Sequence, residues 1–112
     1  RAQYDLGIMY GKGRGVQQDN AEAIRWYRKA AEQGYTSAQY NLGVMYGKGL
    51  GTTQDIVEIF MWIELATSHA SGDDQKKFAE TRDEIAKAMT SKQLAEAKRK
   101  VQEWKPKSGK DN

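Results

Sequence analysis

A fourteen-residue stretch of this chain recurs with three changes. Ala2-Gln3-Tyr4-Asp5-Leu6-Gly7-Ile8-Met9-Tyr10-Gly11-Lys12-Gly13-Arg14-Gly15 returns thirty-six positions later as Ala38-Gln39-Tyr40-Asn41-Leu42-Gly43-Val44-Met45-Tyr46-Gly47-Lys48-Gly49-Leu50-Gly51. The register continues through Gln18/Gln54, Asp19/Asp55, Glu22/Glu58, Trp26/Trp62 and Ala30/Ala66. A period of 20–50 residues marks repeat architectures, in which each unit buries its apolar face only against its neighbours. A chain of 112 residues holds about three such units and leaves little room for a large enzyme fold.

Each unit reads as two helices. Ala2, Leu6, Met9 and Tyr10 fall at i, i+4, i+7 and i+8, and Ala38, Leu42, Met45 and Tyr46 repeat that stripe. Thr36 and Gln39 have the spacing of a capping box, with Tyr35 and Tyr40 placed as a hydrophobic staple, so the second unit is expected to start near Thr36. The stripe ends at Gly-Lys-Gly-x-Gly, whose glycines permit a tight reversal between antiparallel helices. Asp19 and Asp55 then cap the second helices, with Glu22 and Glu58 three positions on. Ala23, Trp26, Tyr27, Ala30 and Ala31 give the first of these a buried stripe that Gly34 ends.

The later copy is apolar round most of its circumference, from Ile56 through Phe60 and Trp62 to Leu65, and is expected to be covered on more than one side. A closing pair supplies the cover. Ser71 is placed to cap a helix running to about Met89 with Phe78, Ile85 and Met89 inward, and Thr90-Ser91-Lys92-Gln93 is a second capping box. The last helix carries Leu94, Ala97, Val101 and Trp104 on one side and stops at Pro106. The expected divisions are 1–36, 37–72, a capping hairpin over 73–105 and a tail over 106–112. Arg1 is no initiator, so the reading expects an excised piece of a longer chain. The flank of Ala2, Met9, Ile24 and Tyr27 is then left partly open, and weak self-association through it is expected.

The pattern Ala-x-x-x-Leu-Gly-x-x-Tyr, then Gly-x-Gly-(Val/Thr)-x-x-Asp, then Ala-x-x-Trp and Ala-Ala-x-x-Gly resembles the Sel-one-like repeat (SLR) family, relatives of tetratricopeptide repeats. Residues 2–37 carry it nearly whole, at Ala2, Leu6, Gly7, Tyr10, Gly13, Gly15, Val16, Asp19, Ala23, Trp26, Ala30, Ala31 and Gly34. The second copy departs at Ile59 and Thr67, and Gly72 comes two positions late. Arg82-Asp83, Met89-Thr90, Gln93, Ala97 and Trp104 resemble the closing hairpin of bacterial members. The resemblance implies an all-α, right-handed α-solenoid of antiparallel helix pairs. It also implies a scaffold that binds proteins, in bacteria often in the periplasm or cell envelope.

Other chemistries find less support. A mean hydropathy of -0.86 leaves no stretch near the roughly 20 apolar residues of a membrane span. With no cysteine and one histidine, His69, no metal cluster can be assembled from the usual ligands, and His69 suits the end of its helix. The glycine loops lack both the preceding strand of a dinucleotide fold and the Gly-Lys-Ser/Thr of a phosphate loop. Residues 98–112 hold six basic and two acidic side chains, but Trp104 is their one aromatic and is assigned to the core, so nucleic-acid binding is not expected. No nucleophile pattern points to catalysis, and no cofactor is implied.

By analogy with tetratricopeptide folds, the first helices line the concave side of the superhelix, and positions off the buried stripe point into it. These are Tyr4, Asp5, Ile8 and Lys12, then Tyr40, Asn41, Val44 and Lys48. Such rows suit an extended peptide or partner helix. The alternative is an accessory or regulatory segment of a larger cell-envelope protein or enzyme, whose working site lies in other repeats or a fused domain.

Overall fold

Six helices follow one another: α1 (Ala2–Lys12), α2 (Asn20–Glu32), α3 (Thr36–Lys48), α4 (Ile56–His69), α5 (Gly72–Lys87) and α6 (Ser91–Glu103). The computed structural model describes residues 2–12, 19–48 and 55–106, apart from the side chains of Ala2, Met9 and Tyr10. Both glycine loops, with Val16 and Thr52, and the tail after Pro106 therefore lie outside the described residues, which contain no strand. Consecutive helices α1 to α5 pack pairwise and α6 packs on α4, giving an α-solenoid of antiparallel pairs.

The helix ends follow from local chemistry. Asp19 accepts from the Glu22 amide at 3.1 Å, and Asp55 from the amides of Val57 and Glu58 at 3.0 and 3.4 Å, satisfying donors that a helix start leaves open. At the other end of α2, Gly34 sits at φ +95, and the amides of Gly34 and Tyr35 return to the carbonyls of Ala31 and Ala30. This is a Schellman closure, and its left-handed residue requires glycine. Thr90 and Gln93 form a reciprocal capping box at the start of α6, with Met89 and Leu94 both against the small core of Val57, Phe60 and Ala97.

Each first helix lies unusually close to its second helix at one glycine. A Cβ on Gly7 would stand 2.7 Å from the Tyr27 ring, and one on Gly43 2.6 Å from Ile63 Cδ1. Leu6-Gly7 and Leu42-Gly43 are therefore contact points where only hydrogen fits. The core runs from Ala23, Tyr27 and Ala31 through Leu42 and Tyr46 into α4, where Trp62 is 2% and Ile63 0% exposed. As its composition predicts, α4 is covered on several sides, by α3, α5 and α6.

Polar contacts tie the pairs together. Arg28 of α2 donates to the Tyr46 hydroxyl of α3 and pairs with Glu32 and with Glu58 of α4, which also faces Lys100 of α6 at 3.8 Å. Burial works against the Arg28 charge, but Tyr46, Glu58 and Glu32 together hold its pKa above the usual value. Pairs this exposed contribute about 0–1 kcal/mol each, so their role is alignment. Trp104 closes α6, half-buried and edge-on to Trp62 with centroids 6.3 Å apart, and reaches back towards Gly34.

Several expectations are corrected. Gln39 does not serve a capping box with Thr36. The Tyr35 carbonyl accepts from the Gln39 amide, so the helix opens one residue earlier, and the Gln39 side chain is fully buried and donates to the Ala31 carbonyl at 3.1 Å. Glu22 turns to Arg25, and Glu58 to Arg28 and Lys100. Ser71 precedes α5 without a side-chain cap bond, α5 ends at Lys87, and Gly72 opens α5 while Ala70 closes α4 in extended backbone. Ile24 and Tyr27, expected on an open flank, are only 8% and 6% exposed, because α1 and its Gly7 seat the Tyr27 ring. Among the described residues no large hydrophobic side chain is exposed.

Substitution tests the glycine contacts. Gly7→Ala and Gly43→Ala should each lower stability by about 1–2 kcal/mol, the overpacking cost exceeding the helix-propensity gain. Gly11→Ala and Gly47→Ala, whose added Cβ would meet neighbours at 3.6 and 3.9 Å, should be neutral or stabilising by up to about 1 kcal/mol. Urea titrations of the four variants measure this.

Alkaline pH tests the buried tyrosines. Burial pushes the hydroxyl of Tyr27 up, with Tyr4 adding to it, and burial does the same to Tyr46 against the opposing pull of Arg28. The fold therefore holds these protons more tightly than the unfolded chain does. Their contribution is intact below the ordinary tyrosine value of about 10 and is lost as pH rises through the raised folded values. The melting temperature should fall above about pH 10, and less steeply in Tyr27→Phe.

Candidate functional site

The first helices lie side by side with second helices behind them, which leaves a groove between neighbouring first helices. Between α1 and α3 it encloses about 540 Å³. Its α1 wall is Tyr4, Ile8, Gly11 and Lys12, its α3 wall Asn41, Val44, Met45 and Lys48, and Asn20 and Tyr27 of α2 form the back. Six of the eight positions chosen from sequence thus converge there: Tyr4, Ile8, Lys12, Asn41, Val44 and Lys48.

The upper end of this groove is held by a polar and aromatic cluster. The Tyr4 ring stands edge-on to Tyr35 at 5.0 Å and tilted on Tyr27 at 5.7 Å, and its hydroxyl accepts from Asn41 Nδ2 at 3.2 Å. Ile8 and Val44 are half-buried, with part of their aliphatic surface on the core. Lys12 and Lys48 are exposed in the last turns of α1 and α3, where the helix dipole favours a cation.

The two other chosen residues are placed differently. Asp5 is exposed and lies outside the groove lining. Tyr40 turns towards α5, where its ring stacks on Phe78 with centroids 4.0 Å apart and its hydroxyl meets Thr81 Oγ1 at 3.1 Å. Tyr4 and Tyr40 therefore share one task, each giving its hydroxyl to the next first helix.

Sequence reasoning missed a second groove. Between α3 and α5 about 320 Å³ is lined by Gly43, Val44 and Gly47, by Ile56, Ile59 and Ile63 of α4, and by Thr81, Ile85 and Ala88. The signal was present in the departure at Ile59, which stands where the first copy has Ala23. His69 is the exposed last residue of α4, and among the described residues no three metal-ligating side chains converge. No described helix is long and apolar enough to cross a membrane.

Comparison with known proteins agrees with this geometry. The Sel1 repeat family matches residues 1–35 and 36–71. Among solved structures, a protective antigen present in uropathogenic Escherichia coli strains and displaying an SLR fold is similar, with a TM-score of 0.83 and 38% identity over 92% of this chain and 21% of that one. A Sel1 repeat protein from Oxalobacter formigenes is also similar, with a TM-score of 0.63 and 40% identity over 69% of this chain and 32% of that one. The chain thus spans about a fifth and a third of these two structures. No curated protein matches it significantly. Two matched repeats over residues 1–71 and the shared solenoid place the chain in the Sel1 repeat family, whose members are generally helical scaffolds for protein interaction.

Proposed function

We propose that this chain is a non-enzymatic scaffold that holds a peptide, or an extended segment of a partner protein, on the concave side of the solenoid. The observation that carries the reading is the α1/α3 groove, where six residues selected for that role line one recess. Its walls combine aliphatic surface from Ile8 and Val44 with the Asn41 amide and two ammonium groups. Apolar anchors supply affinity in such recesses, while amides and cations pair with the backbone and carboxylates of a bound chain. Asp5 remains in the proposed site as an exposed residue outside the groove lining, and Tyr40 as the residue that ties α3 to α5. In this reading the chain binds protein and neither nucleic acid nor a cofactor.

A second reading rests on length. Because the chain spans 21% and 32% of the two solved structures, it also fits an accessory segment of a larger protein. The two readings are compatible where the larger protein uses this groove.

Selection from a random twelve-residue display library provides the test. Peptides enriched on the wild type should bind Ile8→Trp and Val44→Trp at least about tenfold more weakly, since the added ring fills the recess. Lys92→Glu, on the exposed face of α6, should bind as the wild type does. Absence of any enriched peptide, or binding that ignores both groove substitutions, would overturn the reading.

A further inference from the structure

The two grooves are one piece of architecture built twice with different chemistry. Thirty-six positions relate Ile8 to Val44 and Gly11 to Gly47, so corresponding faces of α1 and α3 form the leading wall of each. The backs correspond as well, but Asn20 and Tyr27 in the first become Ile56 and Ile63 in the second, and Ile59 replaces Ala23. The first recess therefore mixes aliphatic and aromatic carbon with hydroxyls, amides and ammonium groups, whereas the second is lined almost wholly by aliphatic carbon. Val44 borders both, so the recesses adjoin.

Among the described residues the charge lining the first recess is of one sign: Lys12 and Lys48 stand on its opposite walls, no carboxylate lines it, and neither lysine has an acidic partner. A helix C-terminus offsets about half a charge, which leaves each ammonium with a positive remainder. A recess walled on both sides by cations concentrates a carboxylate.

Resting on the binding function proposed above, we infer that the occupant is an extended acidic peptide segment. It places a carboxylate between Lys12 and Lys48 and an aliphatic or aromatic side chain in the α3/α5 groove. The recesses adjoin and an extended chain advances about 3.3 Å per residue, so the two anchor residues of the peptide lie a few positions apart. The α3/α5 recess selects by shape and apolarity, and the α1/α3 recess by charge.

The same display selection separates this inference from the reading beneath it. Enriched peptides should carry Asp or Glu within a few residues of Leu, Ile, Met or Phe. A fluorescein-labelled synthetic copy of the leading peptide should bind at least about tenfold more weakly to Lys12→Glu/Lys48→Glu, and more weakly in 0.5 M than in 0.05 M salt, roughly a change from 4 to 14 Å in screening length. Ala88→Trp, which fills the second groove from an exposed position, should weaken binding of that peptide but not of its Ser-for-apolar version. Far-UV spectra confirm that each variant is folded. Enrichment of basic or uncharged peptides that still depend on Val44 would overturn the acidic specificity and leave the groove function standing. Binding insensitive to Ala88→Trp would remove the apolar anchor. Failure of every peptide to depend on Val44 would overturn both.

Discussion

The architecture depends on two places where a helix has no side chain. At Gly7 and Gly43 the backbone of a first helix rests against Tyr27 and Ile63 of its second helix, at a separation no Cβ allows. Interiors are packed to near crystal density, so a contact that close sets the spacing of everything built on it. With the pair closed at glycine, Leu42 is driven fully into the core, and half-buried Ile8 and Val44 are left on the edge that faces the groove. The recess is therefore a by-product of the packing. Its depth is set by Tyr27 and Ile63, the same side chains that meet the glycines.

Stacking of one pair on the next relies on a different chemistry. Tyr4 reaches Asn41, Tyr40 reaches Thr81, and Gln39 holds the Ala31 carbonyl, so each junction spends polar groups on continuity. Glu58 faces cations on both α2 and α6, which aligns the closing hairpin with the first repeat across α4. The edge-on contact of Trp104 with Trp62 follows the same line. A solenoid is stabilised by such nearest-neighbour terms. In α5 and α6 only Phe78 and Ala97 are buried, so most of the surface of this pair meets solvent.

What was legible in the sequence was what a period or a local rule encodes. Matching residues at a spacing of thirty-six foretold the pairs, and the aspartates and Thr90 foretold caps because capping is decided within four residues. The failures share a cause as well. Gln39 matches the capping spacing, but a preceding helix offers it the Ala31 carbonyl, and a buried partner outweighs an exposed one. Tyr40 reads as a groove residue by register, yet Phe78 stands opposite, from a helix whose register against the repeat is not set by identity. Position in the period predicts which face a residue occupies, while the neighbour across that face is a tertiary fact.

The second groove shows how the two kinds of information combine. Sequence comparison of the copies presents Ile59 as a departure from the pattern, and only the structure turns it into a lining residue, together with Ile56 and Ile63. A repeat that keeps its glycines and changes its back wall keeps the recess and changes its lining. On the proposed binding function, selectivity along the solenoid needs no new backbone, because a few side chains of the second helix turn a mixed recess into an apolar one. Because the close glycine contact is made by position 27 or 63 itself, Tyr or Ile there is chosen under two constraints, to seat against glycine and to face the groove. A large flat ring and a branched aliphatic chain both satisfy the first, and they differ only in the second.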